Sequence, residues 1–331
     1  MIKVQRSPAS ILSWLLQQIF DNMLAAALLL LFSFMLLQYL PGNQVDALLT
    51  SDIGRAISSE DYANTTERLG LDRPVLHQFG DWLTGVLQGN LGYSMLHRAP
   101  VSEVLSDALP WTLTLVLLSL PISLLLGAFI GLLTGMHPQR KPSQLAFTLM
   151  TLLSSLPSFV VALLLLNLFA FTLGWFPTGG GAGLSARLSG KNELADLIWH
   201  GILPLTALCM HSCVRYFYLA YGLAQQIGQR AFIRYARQRG ISGWQLLRHW
   251  YLPNAMPELL SRLSSSLPGM VGVTVFVEVV FSYPGVGSLM LDAIHNRDYL
   301  LLQGALLVTG LMVLTGNTLL DVITAGLTAR G

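Results

Sequence analysis

Six apolar runs, each close to the length of a membrane-crossing helix, constrain this chain more than any other feature. A helix needs about 20 apolar residues to cross the hydrocarbon core, and such runs fall at approximately 19 to 40, 109 to 136, 145 to 173, 201 to 224, 259 to 282 and 300 to 326. With 331 residues, 53% hydrophobic and only 11% charged, the chain has too few charged side chains to cover a soluble protein of that size. An all-α polytopic membrane protein with about six transmembrane helices follows. Pro121, Pro157, Pro204 and Pro268 fall inside or near the runs and are expected to mark kinks. The basic start MIKVQRSPAS, followed by an apolar run, has the outline of a signal peptide. The run is longer than an h-region and no small-residue cleavage pattern follows at QYLPGNQ, so a retained first helix is expected.

Orientation is read from Lys and Arg in the short loops. Lys3 and Arg6 precede the first run, Arg140 and Lys141 separate the second from the third, and Arg230, Arg234, Arg237, Arg239 and Arg248 separate the fourth from the fifth. These loops are expected in the cytoplasm. The segment 41–107 carries nine acids against four arginines and belongs outside. Its turn signals PGN, LGLDRP and QGNLG, with Tyr62, Phe79, Trp82 and Tyr93, predict a small folded extracytoplasmic subdomain. The chain then divides into 1–40, the cytoplasmic N-terminus with the first helix; 41–107, the outside subdomain; and 108–331, the core with a cytoplasmic loop at 226–257. Two further outside loops are expected, GWFPTGGGAGLSARLSGKNE and SYPGVGSLMLDAIHNRDY.

The arginine loop does more than fix sidedness. Each Arg costs about 2.5 to 3.5 kcal/mol at the bilayer centre, which alone keeps the loop out of lipid, yet the loop also carries helical order. Phe232, Ile233, Ala236 and Arg237 repeat at helical spacing, RGISG supplies two glycines for a turn, and Trp244, Leu247 and Trp250 form a second stripe that LPN is expected to end. A basic, amphipathic helix-turn-helix of this kind lies on anionic lipid or enters a groove on a partner.

The stretch ARQRGISGWQLLRHWYLPNA resembles the cytoplasmic EAA loop of ABC importer permeases. Ala236, Gly240, Trp250, Leu252 and Pro253 fall on the pattern of an alanine, a glycine four residues on, and an apolar residue before Leu-Pro. The departure is at the start, where Arg234 and Tyr235 replace Glu-Ala and no acid lies between Asp196 and Glu258. LPGNQVDALL, LGLDRPVLHQFGDWLTGVLQGNLGYSMLHRAPVSEVLSDALPWTLTL, LGWFPTGG and VFSYPGVGSLMLDAIHNRDY extend the likeness over nearly the whole chain. They resemble the B-type inner-membrane permease of dipeptide, oligopeptide and nickel importers, in which a large outside segment between the first two helices marks the B-type subunit. The resemblance implies a type I-like ABC importer fold, a heterodimer with a C-type permease, two ATPase subunits holding ATP and Mg, and an external substrate-binding protein. It implies no cofactor in this chain, with peptides as the leading cargo and nickel or a metal chelate as the alternative. The loop residues Ala236, Arg237, Gly240, Trp244, Leu247, Trp250, Leu252 and Pro253 are then the expected contact to an ATPase.

Other residues carry narrower expectations. Glu278 and Asp321 fall in spans, where acids line a water-filled path or pair with a cation, and Arg215 and Arg262 are the expected partners; Arg215, Glu278 and Asp321 are the pathway or gate candidates. Tyr283, Pro284, Gly285, Gly287, Asp292, Arg297 and Asp298 are candidate contacts to the binding protein, with turn chemistry as the alternative for the glycines and proline. Cys209 and Cys213 share a helix face and His211 lies about 160 to 200° away from them, so packing is favoured over a metal site there.

No G-x-x-x-x-G-K-[ST] loop occurs; LSARLSGKN lacks the first glycine and the hydroxyl. ATP hydrolysis is therefore expected elsewhere. The small net charge of +2 does not suggest nucleic acid, and no H-E-x-x-H or nucleophile motif suggests an intramembrane enzyme. No internal repeat suggests a secondary transporter. A membrane scaffold would leave the spacing from Gly240 to Pro253 unexplained.

Overall fold

The computed structural model describes residues 8–39, 73–181 and 193–329. The first part of the expected outside subdomain, residues 41–72, and the LSARLSGKN stretch lie outside the described residues. The helices are α1 (Pro8–Tyr39), α2 (Val75–Leu87), α3 (Val101–Met136), α4 (Lys141–Ser155), α5 (Ser158–Leu165, extended by a π-helical segment to Thr172), α6 (Glu193–Gly228), α7 (Ala231–Gln238), α8 (Gly243–Leu246), α9 (Leu252–Val280), α10 (Val286–His295) and α11 (Tyr299–Ala329). A two-residue antiparallel hairpin, β1 (Tyr93–Ser94) with β2 (Ala99–Pro100), precedes α3. Five helices are long and apolar enough to cross a membrane, and a bent pair supplies a sixth.

That bent pair corrects an expectation. The run 145–173 is not one kinked helix: α4 and Ser158–Thr172 meet at 104°. The cause is local. Pro157 has no N–H to donate and disfavours helical backbone at Leu156, which is extended at ψ 128°. Pro121, Pro204 and Pro268, by contrast, sit within uninterrupted helices. α3 also begins at Val101, so the end of the segment expected as outside subdomain is already helix.

Two compact units partition the chain, Met1–Leu109 with Leu289–Thr318, and Pro110–Ser288 with Leu319–Gly331. In the first, α1 and α11 are joined by polar contacts inside apolar helices. Asn22 donates to Thr318 Oγ1 at 2.8 Å, Gln303 Nε2 donates to the Ser33 carbonyl at 3.1 Å, and Leu29 fills the space that Gly310 leaves open. Phe34 of α1 also meets Phe79 and Trp82 of α2, with ring centroids 5.2 and 5.7 Å apart.

The second unit holds two buried apolar clusters. α3 and α6 approach closely because Gly127, Gly131 and Gly135 recur every fourth residue. A Cβ at Gly127 would lie 2.5 Å from the Cys213 carbonyl oxygen, and one at Gly135 would lie 2.7 Å from Ala224 Cβ. Small residues at this spacing let membrane helices pack backbone to backbone. Tyr216 of α6 and Ser266 of α9 share a buried hydrogen bond of 2.6 Å, which ties α9 to the same core.

Candidate functional site

The loop 226–257 is folded onto the helix core. Ile233 and Ala236 of α7, Leu246 and Leu247, and Tyr251 are buried in one cluster with Leu132 and Met136 of α3 and Ala224 and Ile227 of α6. α7 ends where the glycine spacing expects it. Gly240 takes φ +79°, Gly240 N–H donates to the Arg237 carbonyl, and Ile241 N–H reaches back to Ala236 at 3.1 Å, a Schellman-type end that L side chains resist. Arg237 Nη2 then donates to the Tyr251 hydroxyl at 3.1 Å, spanning the turn.

The end of the loop differs from expectation. LPN does not stop the second helix: α8, a π turn at Leu247–Tyr251 and α9 form one continuous helix, Gly243–Val280. The π turn is where Pro253 enters without breaking the rod. Leu252 N–H bonds to the Leu247 carbonyl five residues back, and the Asn254 side chain donates to the Trp250 carbonyl at 2.7 Å. The wider turn also shifts the register, so Trp244, Leu247 and Trp250 do not share one buried stripe. Leu247 is buried, Trp250 is half-buried and stacked on Phe232 with centroids 6.0 Å apart, and Trp244 is 61% exposed, edge-on to Phe129. The outward face carries Arg230, Arg234, Arg237, Arg239 and Arg248 with Gly240, Leu252 and Pro253.

At the other end of the rod, Glu278 does not pair with Arg215 or Arg262. Its side chain is fully buried and accepts a 2.6 Å hydrogen bond from Thr112 Oγ1 of α3 and a 2.7 Å bond from Gly287 N–H. Thr112 Oγ1 in turn accepts from Val286 N–H at 2.9 Å. Arg262 pairs instead with Glu258 at 3.4 Å, where both side chains are about half exposed. Asp321, the third pathway candidate, is half-buried in α11.

The glycines of YPGVG exist for this carboxylate. A Cβ at Gly285 would overlap it, and one at Gly287 would stand 2.8 Å from Oε2. Tyr283 is buried against Trp111, with centroids 5.3 Å apart, and burial, then the Glu278 charge, push its phenol up to about 12. The glycine-rich stretch after α5 closes over the same loop. Gly180 N–H donates to the Phe281 carbonyl at 3.0 Å, and Gly181 packs against Trp111 and Pro284.

The seven residues expected to meet a binding protein therefore divide. Tyr283, Gly285, Gly287 and Asp298 are buried, Pro284 is half-buried, and Asp292 and Arg297 are exposed. Asp298 caps α11 through Leu301 N–H at 3.1 Å and holds the hairpin through Ser94 Oγ at 2.7 Å and Leu96 N–H at 3.2 Å. On α6, Cys209 and Cys213 are buried free thiols facing α3, while His211 is exposed on another side of the helix. The three side chains do not converge.

Residues 123–330 match the family described as "Binding-protein-dependent transport system inner membrane component", and residues 11–116 match its N-terminal companion. The chain is 32% identical over 301 residues to a protein of Brucella ovis named as a peptide permease, covering 90% of this chain and 92% of that one. It is 31% identical over 296 residues to the glutathione transport system permease protein GsiC of Salmonella typhimurium, covering 89% and 90%. Among solved structures, an inward-facing form of the MetNI methionine ABC transporter aligns with a TM-score of 0.54 at 16% identity, over 67% of this chain and 95% of that one. The likeness is one of fold, that of a type I ABC importer permease. The chain belongs to the inner-membrane components of binding-protein-dependent transport systems and is a multi-pass permease subunit of an ABC importer.

Proposed function

We propose that this permease is the B-type half of a heterodimer with a C-type permease and moves short peptides delivered by an external binding protein. Two ATPase subunits hold the ATP and Mg, one of them docks from the cytoplasm on the loop 226–257, and the N-terminus lies on the same side. The observation that carries the coupling role is the continuous helix Gly243–Val280. Its first turn lies in the loop and its last turn carries Glu278, so displacement of the loop moves the span as a rigid body. The inner face of the loop is occupied by its own core, which leaves Gly240, Trp244, Leu252, Pro253 and the arginines for a partner. That face is basic, so acidic groups on the ATPase replace the acid this loop lacks. The names of the relatives favour peptides over a metal chelate, as does the separation of His211 from the two cysteines.

The test is uptake of labelled short peptides and of a labelled nickel chelate into vesicles carrying the whole complex, with and without ATP. ATP-dependent uptake of peptide alone is expected; uptake of the chelate alone would overturn the cargo. Replacing Gly240 with Glu is expected to leave ATP hydrolysis running while uptake falls, and full coupling in that variant would count against the docking role.

A further inference from the structure

Among the described residues, Arg215 has no carboxylate partner. It is exposed on α6, and among the described residues no carboxylate lies within 4.0 Å of its guanidinium. Its depth is fixed from two helices. On α6 it lies thirteen residues, about 20 Å, from the end at Gly228. Its Nη1 is 3.8 Å from the place a Cβ would take on Gly269 of α9, and Gly269 is eleven residues, about 17 Å, from the opposite end at Val280. The exposed pair of Glu258 and Arg262 stands seven residues or more nearer the loop, a further 10 Å or so along α9.

A cation at that depth does not face hydrocarbon without a cost of about 2.5 to 3.5 kcal/mol, and intramembrane cations of this kind mark ion or substrate paths. The surroundings agree. His211 is exposed one turn earlier on the same face of α6, and Ser261, Ser265, Gly269 and Gly272 are exposed along α9. α4 exposes large aliphatic side chains at Leu145, Leu149 and Leu152, whereas the α9 face at Ser261, Ser265, Gly269 and Gly272 exposes small ones.

We propose that Arg215, with His211 beside it and the open face of α9 at Gly269 behind it, is a carboxylate-binding station on the translocation path that receives the C-terminal carboxylate of the passing peptide. This rests on the peptide reading above. The guanidinium presents a planar fork that matches a carboxylate with two parallel hydrogen bonds, and Gly269 leaves the space beside it free of a side chain. With no acid among the described residues to displace, the station engages the cargo on arrival. A single exposed contact is also weak enough to release it, as conduction requires.

The test is uptake, by vesicles carrying the full complex and its binding protein, of one labelled tripeptide with a free C-terminus and of the same tripeptide as its C-terminal amide. Each variant is divided by the wild type for the same peptide, which cancels the preference of the binding protein. Arg215→Gln is expected to lower uptake of the acid about tenfold and of the amide less than about twofold, and Arg215→Lys to hold acid uptake within about threefold. Equal loss for both peptides, or no loss for either, would overturn the station and leave the peptide reading standing. Wild-type vesicles that take up neither peptide would instead overturn the cargo and the station with it. A second variant guards against a folding defect: an Arg215→Cys thiol is expected to react with a membrane-impermeant sulfonate methanethiosulfonate, whereas Cys209 and Cys213 are buried. Failure of that thiol to react in the assembled complex would also overturn the proposal.

Discussion

The carboxylate of Glu278 occupies the volume that the Cβ of any residue but glycine would need at position 285. The acid and the glycine are one feature, and the hydroxyl of Thr112 completes it at 2.6 Å.

Removing that hydroxyl while keeping its shape therefore leaves a buried oxygen short of a donor. Thr112→Val is expected to destabilise the subunit by about 1 to 3 kcal/mol, whereas Thr112→Ser keeps the bond and stays near wild type. Gly285→Ala is expected to be worse than either, because carboxylate or backbone must move. Thermal unfolding read by a thiol-reactive dye suits this chain, since its free thiols, Cys209 and Cys213, are buried in the fold. Coincident midpoints for wild type and Thr112→Val would remove the carboxylate from any account of stability.

The Arg237 to Tyr251 bond makes a local prediction. Tyr251 is fully buried with its hydroxyl over Gly228, so Tyr251→Phe keeps the packing and loses only the tie across the turn. Arg237 is exposed, so the loss is expected to be about 1 kcal/mol, within the range for one hydrogen bond. It is expected to appear as faster amide exchange in residues 231–242 with little change in the spans. Uniform change along the chain would show that the bond does not act locally.

His137 gives a pH dependence outside the spans. Partial burial, then the charges of Arg140 and Arg237, hold its imidazole below the usual 6.5. The folded state thus disfavours the protonated ring, and the unfolded chain binds the proton first as pH falls. Stability from this group is full above about 6.5 and declines below it, until the depressed folded value is passed. His137→Gln is expected to flatten this part of the profile, measured as the unfolding midpoint from pH 7.5 down to 5. Parallel profiles would assign the acid sensitivity elsewhere.

The sequence makes the spans legible because apolar length is a one-dimensional property, and it locates the turn at Gly240 because a left-handed residue has few alternatives to glycine. Two kinds of error follow from what one dimension omits. Pro157 and Pro253 look alike in sequence, yet one separates helices by 104° and the other is absorbed by a π turn, where Leu252 N–H reaches the Leu247 carbonyl and the Asn254 side chain donates to the Trp250 carbonyl. In sequence, charge alone pairs Glu278 with Arg215 or Arg262. A carboxylate surrounded by N–H and O–H donors needs no cation, and the nearby YPGVG glycines were the signal that backbone would approach it. The repeat Gly127, Gly131, Gly135 is legible in the sequence, because spacing by four in an apolar run announces close helix packing.

That repeat supports the sharpest contrast between substitutions of one type. At Gly131 a Cβ would run into the Phe217 carbonyl and stand 2.9 Å from Ala220 Cβ, both belonging to α6. Neither neighbour is the flexible end of a side chain, so α3 and α6 must separate, and the glycines at 127 and 135 resist separation at either side. Gly131→Ala is expected to cost about 1 to 3 kcal/mol, the usual range for overpacking, and Gly131→Leu to abolish assembly. Gly222, on α6 itself, has nothing within 4 Å of its Cβ position. There the only change is helix propensity, and Gly222→Ala is expected to be neutral or to stabilise by up to about 1 kcal/mol. Unfolding midpoints of the two alanine variants, measured side by side, decide the matter. If Gly131→Ala proves as benign as Gly222→Ala, the close approach of α3 and α6 is not what holds this core together.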